Sequence, residues 1–194
     1  MFSGKKIALI DLETTDPVVA QETKQAPQII EVGVVVVDSS MREYTRWSSL
    51  VRPPDLEHVT PEITELTGIT KSMLEISPSW SDIWRDFAKA TNFKGNKLAS
   101  WCSYFDIPIL KNTYARNGLG WPHSFVCFCA MSHFHGMCSE RGIYLPKFGL
   151  EAVCKQFGID TTNNHRAIPD VDAMISLFKA FQESPTMSCQ IVDF

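Results

Sequence analysis

Short runs of apolar and β-branched residues alternate with polar stretches along this chain, and such runs are typical of buried β-strands. The longest run is "IIEVGVVVVD" at 29–38, which is strongly β-branched and therefore predicts a long strand. The pattern predicts five strands in all, at about 5–11, 29–38, 46–53, 97–101 and 125–128.

Helical signals follow between and after these strands. The segment "TPEITELTGIT" offers Thr60 as a helix N-cap, Pro61 at the first helical position and Gly68 as a stop. Further helices are predicted at 79–91, 107–117, through "CAMSHFHGM", at 147–159 and at 169–182, whereas 16–27 is polar and predicted to be an extended loop. Three consecutive strands, followed by strands that alternate with helices, indicate an α/β domain with a mixed five-stranded sheet flanked by helices.

Length and composition indicate a single globular domain. The 194 residues are 44% hydrophobic and 21% charged, which is enough for a substantial core. We expect the domain to cover 1–183 and a C-terminal tail to cover 184–194. Apolar runs fall short of the about 18 residues of a membrane span, and the N-terminus lacks a signal-peptide pattern, so the expected location is intracellular, in the cytoplasm or alternatively the nucleus.

Charge and cysteine content narrow the classes of function. A net charge of −4 argues against a protein that neutralises a long duplex, although it permits one that holds only the end of a nucleic acid through metal ions. The six cysteines lack the dense spacing of a small secreted scaffold. We therefore expect free thiols, most of them small buried residues.

Several carboxylates occur where a buried charge is costly. Asp11 and Glu13 end the first strand, and their side chains point to the same side because strand residues alternate between faces. Asp106 follows the fourth strand at the mouth of a helix, and Asp170 heads the last helix in line with its apolar stripe. Taken singly, Asp106 could be an N-cap and Asp170 could interact with the helix dipole.

Together these acids have a chemical explanation. Four converging carboxylates form an oxygen site suited to Mg²⁺ or Mn²⁺. Two such ions about 3.5–4 Å apart can stabilise both the attacking and the leaving oxygen of a displacement at phosphorus. His165 lies in the loop before the last helix, so it is either an ordinary loop histidine or a mobile general base for the attacking water.

Three segments, "DLETT", "SYFD" and "HRAIPD", resemble the three exonuclease motifs of the DEDDh family. That family includes the epsilon proofreading subunit of bacterial DNA polymerase III, RNase T, oligoribonuclease and the ERI-type RNA exonucleases. The segments "QIIEVGVVVVD", "VTPEITELTGIT" and "LEAVCKQFGID" extend the resemblance to roughly 5–182. It implies an RNase H-like fold and a two-metal 3′→5′ exonuclease with Mg²⁺ or Mn²⁺, which shortens single-stranded RNA or DNA and releases nucleoside 5′-monophosphates.

The resemblance also assigns roles by motif. The metal-binding acids would be Asp11, Glu13, Asp106 and Asp170, with His165 as the general base. Contacts to the terminal nucleotides are expected from Leu12, Thr14, Thr67 and Phe105. The chain departs from the family pattern in two features. Asp16 replaces a common glycine, and the asparagine that is common a few residues before Asp106 is absent, with Cys102 and Ser103 nearby instead. The resemblance further allows a homodimer, or a polymerase or RNA-processing partner.

Two other functions compete with this interpretation. One is a zinc-containing module, because five potential ligands fall within twelve residues, namely Cys127, Cys129, His133, His135 and Cys138. Their spacing matches no strong zinc motif. The other is a non-catalytic nucleic-acid-binding module on the same fold, which the complete set of acids and histidine disfavours.

Overall fold

The computed structural model describes residues 6–92, 95–122, 125–161 and 165–183. Its core is a mixed five-stranded sheet in the order β3-β2-β1-β4-β5. The strands are β1 Ile7–Thr14, β2 Ile29–Val37, β3 Glu43–Leu50, β4 Lys97–Ser100 and β5 Cys127–Cys129. The first three strands pair antiparallel, whereas β4 lies parallel to both β1 and β5. The five strands and the mixed sheet expected from the sequence are therefore confirmed.

Eight α-helices in the described residues surround the sheet, and a 3₁₀ turn spans Leu56–His58. They are α1 Pro17–Glu22, α2 Pro61–Thr67, α3 Lys71–Glu75, α4 Trp80–Thr91, α5 Ser103–Arg116, α6 Ala130–Glu140, α7 Leu150–Gln156 and α8 Ala167–Glu183. Among the residues that the structure describes, no helix has both the length and the apolar character to cross a membrane. The predicted tail at 184–194 lies outside the described residues.

The short helix α1 corrects the prediction of an extended loop at 16–27. The Asp16 carboxylate accepts the Val18 backbone N–H at 2.7 Å, and Pro17 occupies the start of the helix. The same carboxylate accepts the Thr60 hydroxyl at 3.2 Å, which ties α1 to the start of α2. An aspartate followed by proline is a helix-start signal. The sequence therefore contained the information for α1, although the polar composition of the segment favoured a loop.

Other differences concern the ends of elements. Strand β3 ends at Leu50 rather than at 53, before the two prolines. Helix α5 begins at Ser103 rather than at 107, so Asp106 lies inside its first turn with Cys102 at the N-cap. Helix α8 begins at Ala167, which places Pro169 at its third position instead of its first. A proline is tolerated there because the first backbone N–H groups of a helix have no partner within the helix.

The sheet separates two hydrophobic cores. Ile7 and Leu9 of β1 pack in the core formed with α6, α7 and α8, whereas Ala8, Ile10 and Leu12 pack in the core formed with α4 and α5. All nine residues of β2 are buried, which explains its continuous apolar run. Because Asp11 and Glu13 continue the odd-numbered series, their side chains lie on the α8 face of the sheet.

Helix α8 comes unusually close to the sheet at Gly33 of β2. A Cβ atom at Gly33 would lie 2.8 Å from the carbonyl carbon of Ala167 and 3.0 Å from its Cβ. Gly33 pairs with Asp11 in the register of β1 and β2. The missing side chain therefore lets the first turn of α8 rest on the sheet beside Asp11.

Replacement of Gly33 by alanine should lower the free energy of unfolding by about 1–3 kcal/mol, because the added methyl group overpacks against helix backbone. Urea denaturation followed by circular dichroism measures this change. The matched control is Gly136→Ala in α6, where an added Cβ meets nothing within 4 Å and should not destabilise the helix. Equal denaturation midpoints for Gly33→Ala and the wild type would contradict the close approach.

Candidate metal centre and active site

The first two acids of the site lie at the carboxyl end of β1, in the centre of the sheet. Asp11 is opposite Gly33, and Glu13 is opposite Glu31 of β2. Glu13 is only 9% exposed and Asp11 is partly buried. The alternation of the strand therefore places both carboxylates on one face, as expected, where α8 covers them.

Asp170 completes a cluster of three carboxylates. Oxygen atoms of Asp11, Glu13 and Asp170 all lie within 4.8 Å of one another. Burial, reinforced by repulsion from neighbouring acids, raises the pKa of Asp11 well above its usual range and that of Glu13 to about 7. Burial also raises the pKa of Asp170. Oxygen atoms at this spacing fit a hard divalent cation, which would favour the ionised form of all three groups.

Asp106 lies beside this cluster without belonging to the group of three. It is 5% exposed, and burial raises its pKa to about 6. After burial, repulsion from Asp106 is the largest cause of the raised pKa of Asp11, so the two carboxylates interact electrostatically. The Ser100 hydroxyl opposes the shift at Asp106, although this buried oxygen makes no hydrogen bond of standard geometry to a described residue. Since Cys102 occupies the N-cap of α5, the interpretation of Asp106 as an N-cap is wrong.

His165 lies just before α8 and is exposed. Its φ angle is +67°, a left-handed conformation that is uncommon outside glycine. Its backbone N–H donates to Oδ2 of Asp170 at 3.2 Å. The structure thus places His165 off the helix and next to an acid of the cluster, with its side chain open to solvent.

A fifth carboxylate, Glu31, was not among the predicted site residues. It is 6% exposed and accepts a bidentate pair of hydrogen bonds from the Arg166 guanidinium, at 2.9 and 2.6 Å. Its charge adds to the raised pKa of Glu13, which Arg166 opposes. The available signal was a single glutamate in an otherwise apolar strand, because a buried carboxylate requires a partner.

The residues expected to contact substrate lie in different environments. Leu12 packs in the α4/α5 core, and Thr14 is 8% exposed. The Thr67 hydroxyl donates to the Ile63 carbonyl oxygen and accepts the Ile69 N–H, so it already has two partners within its own turn. Phe105 is 37% exposed next to Asp106. Among these four, Phe105 is the side chain with a surface available for stacking.

The cysteine and histidine segment does not converge. Within the described part of the chain, no three of its side chains bring ligand atoms within 4.8 Å of one another. Cys127 packs against the α4/α5 core, whereas Cys138 is buried in the core on the other face of the sheet. His135 stacks on Phe148 with ring centroids 4.3 Å apart. The geometry therefore does not support the zinc module.

A family model of exonucleases, RNase_T, matches residues 8–178 and so includes all the acids and the histidine described above. The chain belongs to this exonuclease family. Membership supports a nuclease activity on nucleic acid. It also agrees with the resemblance noted in the three sequence motifs.

Known proteins of this kind share sequence or fold with the chain. DNA polymerase III PolC-type from Thermotoga maritima is 23% identical over 185 residues, which cover 94% of this chain and 12% of that protein. Escherichia coli exonuclease I in complex with a dT13 oligonucleotide has a TM-score of 0.74 at 20% identity, covering 92% of this chain and 41% of that one. The nuclease domain of 3′hExo, a DEDDh family member bound to rAMP, has a TM-score of 0.74 at 16% identity. The match covers 95% of this chain and 96% of that domain. These likenesses confirm the RNase H-like fold.

The raised pKa of Glu13 predicts a pH-dependent stability in metal-free protein. Its native pKa of about 7 exceeds the usual 4.5, so the native state binds more protons than the unfolded state between these values. In EDTA, the free energy of unfolding of the wild type relative to Glu13→Gln should therefore fall as the pH rises from about 5 to about 8, by about 1.4 kcal/mol for each unit of pKa difference. Urea denaturation at several pH values measures this, and a difference between the two proteins that is independent of pH would contradict it.

Proposed function

We propose that this chain is a divalent-metal-dependent 3′→5′ exonuclease that acts on single-stranded nucleic acid and releases nucleoside 5′-monophosphates. The observation that carries the proposal is the cluster of Asp11, Glu13 and Asp170, whose oxygen atoms lie within 4.8 Å of one another with His165 alongside. Carboxylates packed this closely require a cation to be ionised together, and the chain belongs to an exonuclease family. The proposed cofactors are two Mg²⁺ or Mn²⁺ ions.

The chain's own residues then have distinct roles. Asp11, Glu13 and Asp170 would hold the ions, with Asp106 beside them as the fourth acid. Bound at these carboxylates, the ions would stabilise the attacking and the leaving oxygen of the displacement. His165 would accept a proton from the attacking water as its oxygen bonds to phosphorus. The bond from phosphorus to the 3′ oxygen of the penultimate nucleotide would break with its electron pair on that oxygen, which gains a proton from solvent to become the new 3′-hydroxyl. The terminal nucleotide would leave with its 5′-phosphate.

The surface beside the acids suits an unpaired strand. Phe105 is 37% and Tyr104 is 71% exposed in the first turn of α5, next to Asp106. Aromatic faces stack on any base, which suits an enzyme that removes nucleotides regardless of sequence. The oligonucleotide bound to exonuclease I and the rAMP bound to 3′hExo support such a substrate for this fold.

The wider role of the chain is also a proposal. It spans 12% of the Thermotoga PolC-type polymerase and 26% of a putative exonuclease/endonuclease from Mycobacterium tuberculosis. These relatives support the proposal that this chain acts together with a polymerase or another nucleic-acid-processing partner. The homodimer and the intracellular location expected from the sequence stay predictions.

The proposal predicts degradation of 5′-labelled single-stranded DNA or RNA from the 3′ end with Mg²⁺ or Mn²⁺ and none with EDTA. Asp11→Ala should lower the rate at least about 100-fold, because stabilisation through the ions is worth several kcal/mol. His165→Ala should lower it about 10²–10⁴-fold. Denaturing gels of the time course give both polarity and rate.

The matched control for the acids is Asp172→Asn. Asp172 is on α8 two residues after Asp170, but its side chain is 46% exposed and pairs with Arg46. This variant should retain wild-type activity. Absence of cleavage of both polymers with either metal, or full activity of Asp11→Ala, would overturn the proposal.

Stacking on Phe105 predicts a binding defect. Phe105→Ala should raise KM for a single-stranded oligonucleotide about 5- to 100-fold, the equivalent of one lost base–aromatic contact. The control is Tyr44→Ala on β3. Its neighbour Thr45 lies level with Val36 of β2 and, across β2, with Ala8 at the start of β1, so Tyr44 is far from the other end of β1, which carries the acids. Steady-state kinetics distinguish the two variants, and equal KM values would exclude the stacking role.

A further inference from the structure

A buried carboxylate joins the sheet to the segment that carries His165 and Asp170. Glu31 accepts hydrogen bonds from Nε and Nη2 of Arg166, at 2.9 and 2.6 Å, and from the backbone N–H of Ala167 at 3.0 Å. The Glu31 side chain is 8% exposed, whereas that of Arg166 is 38% exposed. Two of these bonds form a bidentate arginine–carboxylate pair, which fixes orientation as well as distance.

The attachment lies beside the acids of the cluster. Glu31 is opposite Glu13 in the β1–β2 register, and Gly33 is opposite Asp11. The backbone of Ala167 rests on Gly33, and its N–H is bound by Glu31. The start of α8 is therefore fixed to β2 at two positions, each directly across from a carboxylate of β1.

The same attachment borders a strained residue. His165 has a φ angle of +67°, a left-handed conformation that is strained for a residue with a side chain. On one side its N–H is bound by Asp170, and on the other side the next residue, Arg166, is bound by Glu31. Such a conformation persists only where its surroundings hold it.

We propose that Glu31 is a positioning residue for the reaction: by binding Arg166 and the N–H of Ala167, it sets the first turn of α8 and thereby the placement of His165 and Asp170 against Asp11 and Glu13. This inference rests on the proposed exonuclease function. Glu31 is 6% exposed and its oxygens already accept three hydrogen bonds, so it has no direct access to substrate. Any effect on turnover must pass through the residues that it holds.

The test compares Glu31→Gln with a matched control. Glutamine has the size of glutamate, but an amide nitrogen, which only donates, replaces one of the two accepting oxygens. At least one of the three hydrogen bonds from Arg166 and Ala167 is therefore lost. The control is Arg46→Gln, which breaks a similar bidentate pair between β3 and Asp172 of α8, at 2.9 and 2.8 Å, without touching the first turn. Thermal unfolding of both variants establishes that they are folded.

Two measurements are made on each protein. Steady-state kinetics on a labelled single-stranded oligonucleotide with Mn²⁺ should show kcat lowered about 10- to 100-fold in Glu31→Gln, as for residues that orient metal ligands, with KM within about a factor of two. Hydrogen exchange by NMR follows the Asp170 N–H, which donates to the Arg166 carbonyl oxygen at 3.0 Å. This amide should exchange faster in Glu31→Gln than in the wild type. In Arg46→Gln its exchange rate should equal that of the wild type.

The outcomes separate this inference from the proposed function. A loss of kcat together with faster exchange at Asp170, both specific to Glu31→Gln, supports the positioning role. Unchanged exchange at Asp170, or a loss of kcat no greater than that of Arg46→Gln, overturns it. If the wild type cleaves no nucleic acid, the proposed function fails, and the exchange of Asp170 alone decides whether Glu31 sets the first turn of α8.

Discussion

Repulsion among buried carboxylates is the constraint on which this structure depends. Oxygen atoms of Asp11, Glu13 and Asp170 lie within 4.8 Å of one another. Burial raises the pKa of each, and repulsion from the other cluster acids adds to the shifts at Asp11 and Glu13. Such a group is unfavourable by itself, because each charge is removed from water and placed beside another of the same sign. The fold must therefore hold the acids together by other interactions. A divalent cation would convert this unfavourable arrangement into a binding site.

The sheet and α8 provide those interactions. Strand β1 lies at the centre of the sheet, where β4 pairs with its residues 7–9 and β2 pairs along the whole strand. Strand β2 therefore holds the carboxyl end of β1, which carries the acids. Helix α8 crosses one face and buries an apolar side that includes Met174, Leu177 and Phe181, in line with Asp170. Packing of this apolar side places the acid at the end of β1. Gly33 lets the start of α8 lie close against β2, and Glu31 fixes the position of its first residue, Ala167.

Much of the fold followed from local patterns. The five strands, the helix start at Thr60 and the shared face of Asp11 and Glu13 depend on periodicity and capping, which neighbouring residues determine. The helix at Pro17 was readable in the same way but was obscured by a polar composition. The predicted start of α5 was one turn too late, since the helix begins at Ser103 with Cys102 as its N-cap, and Asp106 therefore lies inside its first turn. The cysteine and histidine segment looked like a cluster only along the chain, because its residues divide between the two faces of the sheet.

The sequence by itself determined the strands, most helices, the residue types of the site and the resemblance to exonucleases, because these depend on short-range pattern and on motifs. Only the tertiary structure decided which acids meet, that Glu31 joins the start of α8 to the sheet, and that His165 adopts a left-handed conformation beside Asp170. The Glu31–Arg166 pair joins residues far apart in the chain. No local rule specifies such a partner, since a buried charge selects it by distance and geometry after the sheet and helix have packed.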